Sequence, residues 1–543
     1  MQTVEDFLRR KFWGWGYQAG PLDDTLTDTF VDFLRTTTGM EASSPLALPD
    51  RESITLPDPR FPLPSAWENW ITSDKEIRLH HCFGKSYRDS WRCAHGQFDN
   101  PPDYVAFPND EEQLSELMVF ARNNRISLIP YGGGSSVVGG IEPPKRTSSG
   151  GVITVNMLHF NKVLEVDTQS RCARIQAGTY GPDLEQQLKP HGLTLRHFPQ
   201  SFEFSTLGGW IATRAGGHFA TQYTHIDDFV ESVRVVTPRG VIQTRRLPGS
   251  GAGPSEERLF LGSEGTLGII TEAWVRLQSA PEYKASATVG FKAFEHGVEA
   301  CRQLSQSGLH PTNARFIGRG EALFMGLGDG NLDILILGCE SSTFPVTQKL
   351  KDCLSIATAC GGINLSEPAA SEIDNQRDDK ADTWKQAFIT VPYLRDELVR
   401  RGLIVETFET AITWDKFEHF NARILAAAEH AIERLCGKGF VTCRFTHLYP
   451  DGPAPYYTVM AQGNGTDDLQ RWDEIKREVS DVIINEGGTI THHHAVGKDH
   501  REHYLRQASP LFISMLENAK TSVDPEQILN PGVLLKSPES RTN

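Results

Sequence analysis

Hydrophobic and polar positions divide the chain into stretches of different period. Leu114, Leu117, Met118 and Ala121 share one helical face, and Asn109 with Glu112 reads as the capping pair in front of it. Ile126 to Ile129 is an apolar run of strand length. Val152 to Asn156, Val163 to Val166 and Ala173 to Ala177 are further predicted strands, the last two joined across Asp167-Thr168-Gln169-Ser170. After Ala280-Pro281 the pattern changes. Lys284 to Phe291 alternates, Phe294 to Leu304 has helical spacing, Asn313 to Ile317 and Leu332 to Leu337 read as strands, and Val346 to Ala359 as a helix. Leu403 to Phe408, Trp414 to Cys436, Val441 to Leu448, Tyr456 to Met460 and Leu469 to Ile484 then repeat strand, helix, strand, strand, helix. Two such units side by side predict duplicated ferredoxin-like halves sharing one antiparallel sheet.

At the ends the signals are simpler. Leu26, Phe30, Phe33 and Leu34 mark a helix, and six prolines between positions 45 and 64 mark an extended connector. The tail reads as helical from His500 to about Thr521 and is closed by Asp524-Pro525 and Asn530-Pro531-Gly532.

At 543 residues the chain is too long for a single core. The composition, 39% hydrophobic and 23% charged, is that of an ordinary folded protein. A net charge of −15 argues against a nucleic-acid partner, whose phosphates demand basic residues. Nine scattered cysteines with no C-x-x-C suggest neither a disulfide framework nor a zinc site. No apolar run is long enough for a bilayer, the start Met1-Gln2-Thr3-Val4-Glu5-Asp6 lacks a signal-peptide pattern, and Arg541-Thr542-Asn543 is not a peroxisomal address. The expected location is cytoplasmic.

Chemistry concentrates in a few stretches. Pro130-Tyr131-Gly132-Gly133-Gly134-Ser135-Ser136 is followed by Gly139-Gly140. Glycines allow tight turns that aim successive N–H groups at one point, so this loop is a candidate anion cradle built from backbone alone. It matches neither G-x-G-x-x-G nor G-K-[ST]. Gln200-Ser201-Phe202-Glu203-Phe204-Ser205-Thr206, Thr213-Arg214-Ala215-Gly216 and Glu264-Gly265-Thr266-Leu267-Gly268-Ile269-Ile270 are further Gly/Ser/Thr-rich turns. Several such loops beside strands suggest one extended ligand touched at several places.

The run His492-His493-His494, read as a strand, would put His492 and His494 on one face and His493 on the other. A metal site lacks further ligands at a recognisable spacing, and hydrogen-bonded histidines without a chemical role are the bland alternative. Acid–base chemistry near neutral pH is the third reading. Tyr456, upstream on a predicted strand, could move a proton if its pKa were lowered, or could be simple core. Arg395 fits a phosphate or carboxylate, although its spacing favours a surface ion pair with Asp396 or Asp382. Arg315 lies on an otherwise apolar strand and requires either a buried partner or an anionic ligand.

Taken together, the glycine loop, the three further turns, the Tyr393-Leu394-Arg395-Asp396 segment and the histidine run resemble the vanillyl-alcohol-oxidase/p-cresol-methylhydroxylase flavoproteins, and within them the alkyldihydroxyacetonephosphate synthases and their bacterial relatives. The resemblance covers roughly residues 65–535. It implies an α+β protein with a two-subdomain FAD-binding domain of the p-cresol-methylhydroxylase type at 98–280. A helical N-terminal extension and connector (1–97), an antiparallel cap domain (281–498) and a tail returning to the FAD domain (499–543) complete that picture. FAD would be held by residues 130–136, 200–206, 213–216 and 264–270, without a covalent bond to the glycine loop because no histidine stands there, a link through a cap residue being the alternative. The implied reaction exchanges the acyl group of acyl-dihydroxyacetone phosphate for a fatty alcohol, with the substrate captured at flavin N5. Tyr456, His492, His493 and His494 would be its proton-transfer groups, Arg395 its substrate anchor and Arg315 an active-site arginine of the cap. An FAD-linked dehydrogenase or oxidase of a 2-hydroxy acid is the alternative on the same scaffold. The partner is then a small or lipid substrate with an anionic head. A homodimer and peripheral membrane contact are also implied, with Trp13 and Trp15 as the local hint. Ala495 stands where the family usually has glycine, which predicts a different local backbone.

Overall fold

The computed structural model describes residues 3–18, 24–148, 150–223, 225–365 and 379–537. Met1, Gln2, the Asp382 side chain and Arg541-Thr542-Asn543 lie outside the described residues. The fold is α+β: among the described residues the N-terminal half holds a four-stranded sheet, a five-stranded sheet and a small pair, Leu193–Thr194 with Gln278–Ser279, and the C-terminal half one large sheet.

In the first sheet Tyr104–Ala106, Val152–Asn156 and Ser127–Tyr131 run parallel, with Ile71–Thr72 antiparallel at the edge. Val152–Asn156 is buried along its whole length, as expected of a parallel strand covered on both faces. The helix Glu111–Asn124 packs Leu114, Leu117, Met118 and Ala121 onto it, the face that the periodicity predicts. Its cap differs from the prediction. Asp110 receives the Gln113 N–H, and the Gln113 side chain returns to the Asn109 N–H, so the cap sits one residue later than the proposed Asn109–Glu112 pair.

The second sheet is antiparallel, in the order Val163–Asp167, Cys172–Gln176, Ile269–Arg276, Val230–Thr237, Gly240–Gln243. The tail closes both units: Leu529 bridges Leu128, and Val533, Leu534 and Leu535 join the core of the second sheet. It contains two helices, Arg501–Gln507 and Pro510–Val523, where the sequence reading has one; Pro510 lacks the N–H that a continuous helix needs.

Seven antiparallel strands form the cap. Tyr283–Phe291, Asn313–Ile317, Asp333–Ser341 and Ile363–Asn364, with helices Phe294–Gln306 and Thr347–Ala359, complete one ferredoxin-like unit. Leu403–Glu409, Gly439–Leu448 and Pro453–Gln462, with helices Trp414–Cys436 and Asp468–Asn485, form a second that has no fourth strand among the described residues. The units join through Phe316 opposite Phe445 and Ile317 opposite Arg444. Alternation along Gly439–Leu448 sends Cys443 and Phe445 into the helix-covered core. Arg444 and Thr446 point the other way, into a cavity facing the N-terminal half.

Two further features concern residues singled out in the sequence. Tyr393 and Arg395 lie inside a 22-residue helix, Asp379–Arg400, that accommodates Pro392 in its interior. Trp15 is buried on the cavity wall and offers no surface to a membrane, whereas Trp13 is half-buried beside Lys11 and Arg400.

Candidate functional site

The three-dimensional arrangement brings the glycine-rich stretches into one cavity of about 340 Å³ between the N-terminal half and the cap. Residues 130–136 leave the end of strand Ser127–Tyr131 and form one wall. Gly133 allows a backbone approach that no side chain would: a Cβ there would stand 1.7 Å from the Phe204 carbonyl oxygen. Gly134, at φ +76°, turns the loop back. Gln200, Ser201, Ser205, Thr206, Thr213, Ala215, Gly216, Glu264, Gly265, Gly268, Ile269 and Ile270 also line the cavity.

Six of the candidate FAD residues lie elsewhere. Phe202 stacks on Trp210, Phe204 packs against Trp15, and Glu203 is exposed. Arg214 turns outward to Asp227, Thr266 donates to the Ser263 carbonyl, and Leu267 belongs to the core of the second sheet. They shape the loops from behind. Contiguity in sequence does not separate a wall residue from the one beside it.

Asn530 was not foreseen. Its side-chain amide donates to the carbonyls of Gly140 (2.9 Å) and Glu264 (2.7 Å), tying two of these loops to the tail. Glu264 is itself buried and accepts the N–H groups of Val496 and Gly497; burial pushes its carboxyl up to about 7.

On the cap side, strand register places Glu409, Tyr456 and Arg444 in one row across three strands. The histidine run is a bent loop rather than a strand, because a buried carboxylate organises it. Glu409 accepts the backbone N–H of His492, of His493 (2.9 Å) and of His494 (2.8 Å), together with the Thr491 hydroxyl. Burial pushes the Glu409 carboxyl up to about 7 against those four donors. Only an acidic residue ending a buried strand signalled this in the sequence.

His493, His494, Tyr456, Arg315 and Arg395 all reach the cavity wall, whereas His492 lies behind it. Burial holds the three imidazoles well below their ordinary pKa, hence neutral. Tyr456 departs from the reading that its pKa is lowered. Burial raises it, so the phenol stays protonated, with the Arg444 guanidinium 3.8 Å from its ring centre.

His447, from the strand before Tyr456, joins the cluster. Ring nitrogens of His447, His492 and His493 lie within 4.8 Å of one another. Those of His447 and His492 are engaged by neighbours: His447 by Gly217 and Thr446, His492 by His493 and Tyr449.

Among the described residues four cations line the cavity, and three carry their own carboxylate. Arg395 pairs with Asp396 at 3.2 Å, Lys476 with Glu406 at 2.9 Å, and Arg444 with Glu321. The Arg395 pair is a buried one, not the surface pair that spacing favoured: Asp396 is 1% exposed and also accepts from Ser90 and the Trp15 N–H. Arg315 differs. Its guanidinium donates to the Thr446 carbonyl, the His218 carbonyl (3.1 Å) and the Asn313 side-chain oxygen (3.2 Å), all uncharged. Burial lowers its pKa to about 9. Ala495 holds φ +75°, so the backbone keeps the left-handed form natural to glycine and the expected difference does not occur.

Comparison with known proteins accounts for this architecture. Residues 102–245 match the FAD binding domain family, and residues 280–534 match the C-terminal domain of FAD linked oxidases. The alkyldihydroxyacetonephosphate synthase of Dictyostelium discoideum is 32% identical over 502 residues, covering 87% of this chain and 80% of that protein. That of Trypanosoma brucei brucei is 28% identical over 496 residues, covering 87% and 79%. A solved alkyldihydroxyacetonephosphate synthase structure superposes with a TM-score of 0.81 at 27% identity over 98% of this chain and 99% of that one. The chain is therefore an FAD-dependent enzyme that belongs to the alkyldihydroxyacetonephosphate synthase-like family of FAD-linked oxidases.

Proposed function

We propose that the enzyme exchanges the acyl group of an acyl-dihydroxyacetone phosphate for a fatty alcohol, forming an ether lipid precursor. The observation that carries this reading is Arg315, a buried guanidinium on the cavity wall with only uncharged partners. A charge in that position calls for an anion from the substrate, and a phosphate meets its donor geometry.

An apolar extension of the same cavity supports the long-chain component. Phe30, Phe324, Met325, Leu394, Leu398, Val405, Phe440 and Met460 line it, with the Phe324 and Phe440 rings stacked at 4.4 Å. A small 2-hydroxy acid has no use for such a wall, whereas an alkyl chain gains about 0.8 kcal/mol per buried CH₂.

The residues divide the chemistry among them. FAD, when bound, supplies an electron sink beside the reacting carbon. Residues 130–136, which line the cavity, would cradle its diphosphate through backbone N–H groups, without a covalent link. Arg315 orients the phosphate, and Arg395, steadied by Asp396, flanks it. His493 has Nδ1 occupied by His492 and Glu409, leaving Nε2 of a neutral imidazole to take the proton from the substrate C1. Tyr456, kept protonated, can donate to the departing carboxylate.

The test is anaerobic mixing of the flavin-loaded enzyme with acyl-dihydroxyacetone phosphate and labelled fatty alcohol. Label in an ether product with release of the fatty acid supports the proposal. Flavin reduction by a 2-hydroxy acid, with no ether formed, would replace it with the dehydrogenase reading.

A further inference from the structure

Behind the cavity wall, three hydrogen bonds join four side chains from three separate parts of the chain. His493 Nδ1 lies 2.9 Å from His492 Nδ1, and His492 Nε2 lies 2.6 Å from Tyr449 Oη. Tyr449 Oη is in turn bonded to His225 Nε2. Of the four, His493 alone fronts the cavity. His225 stands at the start of the short helix Ile226–Phe229, beside buried Asp227 and exposed Asp228. We propose that His493, His492, Tyr449 and His225 form a proton relay that carries a proton between the substrate cavity and the protein surface near Asp228.

The donor and acceptor arithmetic permits two arrangements with every member neutral. In one, His493 Nδ1–H donates to His492 Nδ1, His492 Nε2–H donates to Tyr449, and the Tyr449 hydroxyl donates to His225 Nε2. His493 Nε2 then presents a lone pair to the cavity, ready to act as a base. In the other, every bond reverses and His493 Nε2 carries a proton, ready to act as an acid. Passage of one proton along the chain converts the first into the second. The C1–H bond of the substrate breaks, its electron pair stays with carbon, and the proton enters at Nε2. Each member then gains one proton and gives up one, and a single proton leaves from His225.

The surroundings suit this task. Glu409 Oε2, 3.4 Å from His493 Nδ1, favours a proton on that nitrogen and therefore the base-ready arrangement. Burial lowers the pKa of His225, His492 and His493 and raises that of Tyr449, so none holds a charge that would block passage. The charged groups acting on the chain are Arg315, Arg444 and Arg214 on one side and Glu409, Asp227, Asp228 and Asp451 on the other. His447 packs 4.8 Å from the His492 ring but donates from Nε2 to the Gly217 carbonyl, outside the relay. Tyr449 and His225 therefore serve the reaction without touching substrate, as positioning and transfer residues.

The use of the relay rests on the proposed reaction; its existence does not, and the two are tested separately. Tyr449→Phe removes the central hydroxyl and keeps the ring, and His225→Asn cuts the outer end. Both are compared with wild type only where flavin spectrum and melting temperature are unchanged. In holoenzyme carrying ¹⁵N-labelled histidine, without substrate, Tyr449→Phe should shift the tautomer balance of both His492 and His225. Unchanged imidazole nitrogen shifts would overturn the relay, whatever reaction the enzyme catalyses. In D₂O with acyl-dihydroxyacetone phosphate and fatty alcohol, wild type should place deuterium at C1. Each variant should lower deuterium incorporated per ether formed by about ten-fold or more, because the abstracted proton can only return. A ratio equal to wild type would also overturn the relay, since a merely structural residue changes rate and not this partition. If wild type forms no ether, the proposed reaction falls and the nitrogen shifts still decide the relay.

Discussion

Arg315→Met isolates the group proposed to recognise the substrate anion. Arg315 is 3% exposed, and burial takes its pKa from 12.5 to about 9. Since both values lie above neutrality, the charge persists at pH 7, and holding it in the ligand-free site costs about 5 kcal/mol at 1.36 kcal/mol per pKa unit. That cost is fully present at neutral pH and is relieved only as pH rises beyond the folded-state value. Methionine removes the charge but also strips donors from three oxygens, at about 1–3 kcal/mol for each left unsatisfied. These effects oppose each other, so the ligand-free variant should unfold within about 3 kcal/mol of wild type. The ligand should feel the full loss. A phosphate charge about 4 Å from the guanidinium gains about 4 kcal/mol at an effective dielectric constant near 20, or about a thousand-fold in Kd. The assay is calorimetric titration of the holoenzyme with dihydroxyacetone phosphate, with phosphate-free dihydroxyacetone as the control. The variant should lose roughly two to three decades of affinity for the phosphate and almost none for the control. Equal phosphate affinity in variant and wild type, or a matching loss for the control, would refute the assignment. Arg395→Met should weaken phosphate binding less, because Asp396 already balances that charge.

Gly133→Ala should yield colourless protein, because its Cβ would meet the Phe204 carbonyl at 1.7 Å and force the loop open; absorbance at flavin wavelengths after purification decides it. Ala495→Gly should raise stability by about 0.5–1 kcal/mol in urea unfolding by relieving the φ of +75°, and an unchanged or lower midpoint would count against strain there. Glu409 has a folded-state pKa of about 7, above its ordinary 4.5, so its contribution to stability is present below pH 4.5 and lost as pH rises through 7. The difference between wild type and Glu409→Gln should therefore move by about 3 kcal/mol toward the variant between pH 4.5 and 8, and a pH-independent difference would contradict it. Glu409→Gln should also slow turnover, since the three histidine N–H groups lose their shared carboxylate.

Local pattern was sufficient wherever one element decided the outcome. The apolar face of Glu111–Asn124, the alternation of Tyr283–Phe291 and the strand–helix order of the cap are properties of neighbouring residues, and side-chain period alone reveals them. The glycine loops were legible for the same reason, since a tight turn is written in the residues that make it. Glu409 was not legible. It becomes the organiser of the histidine loop only because strand Leu403–Glu409 ends beside residues more than 80 positions later. His225 and Tyr449, 224 positions apart, are likewise invisible as a pair until the two halves close on one cavity.

Arginine sharpens the distinction. Spacing favoured a plain ion pair for Arg395 and a buried partner or an anionic ligand for Arg315, yet Arg395 was the one matched by resemblance to substrate anchoring. The folded chain gives Arg395 a carboxylate and leaves Arg315 with uncharged partners. Sequence by itself determined most of the elements, the glycine-rich turns and the family, because each is carried by short-range pattern. Tertiary structure alone decided which charges are compensated and which imidazoles are joined, because burial and pairing depend on what distant segments bring to the same place.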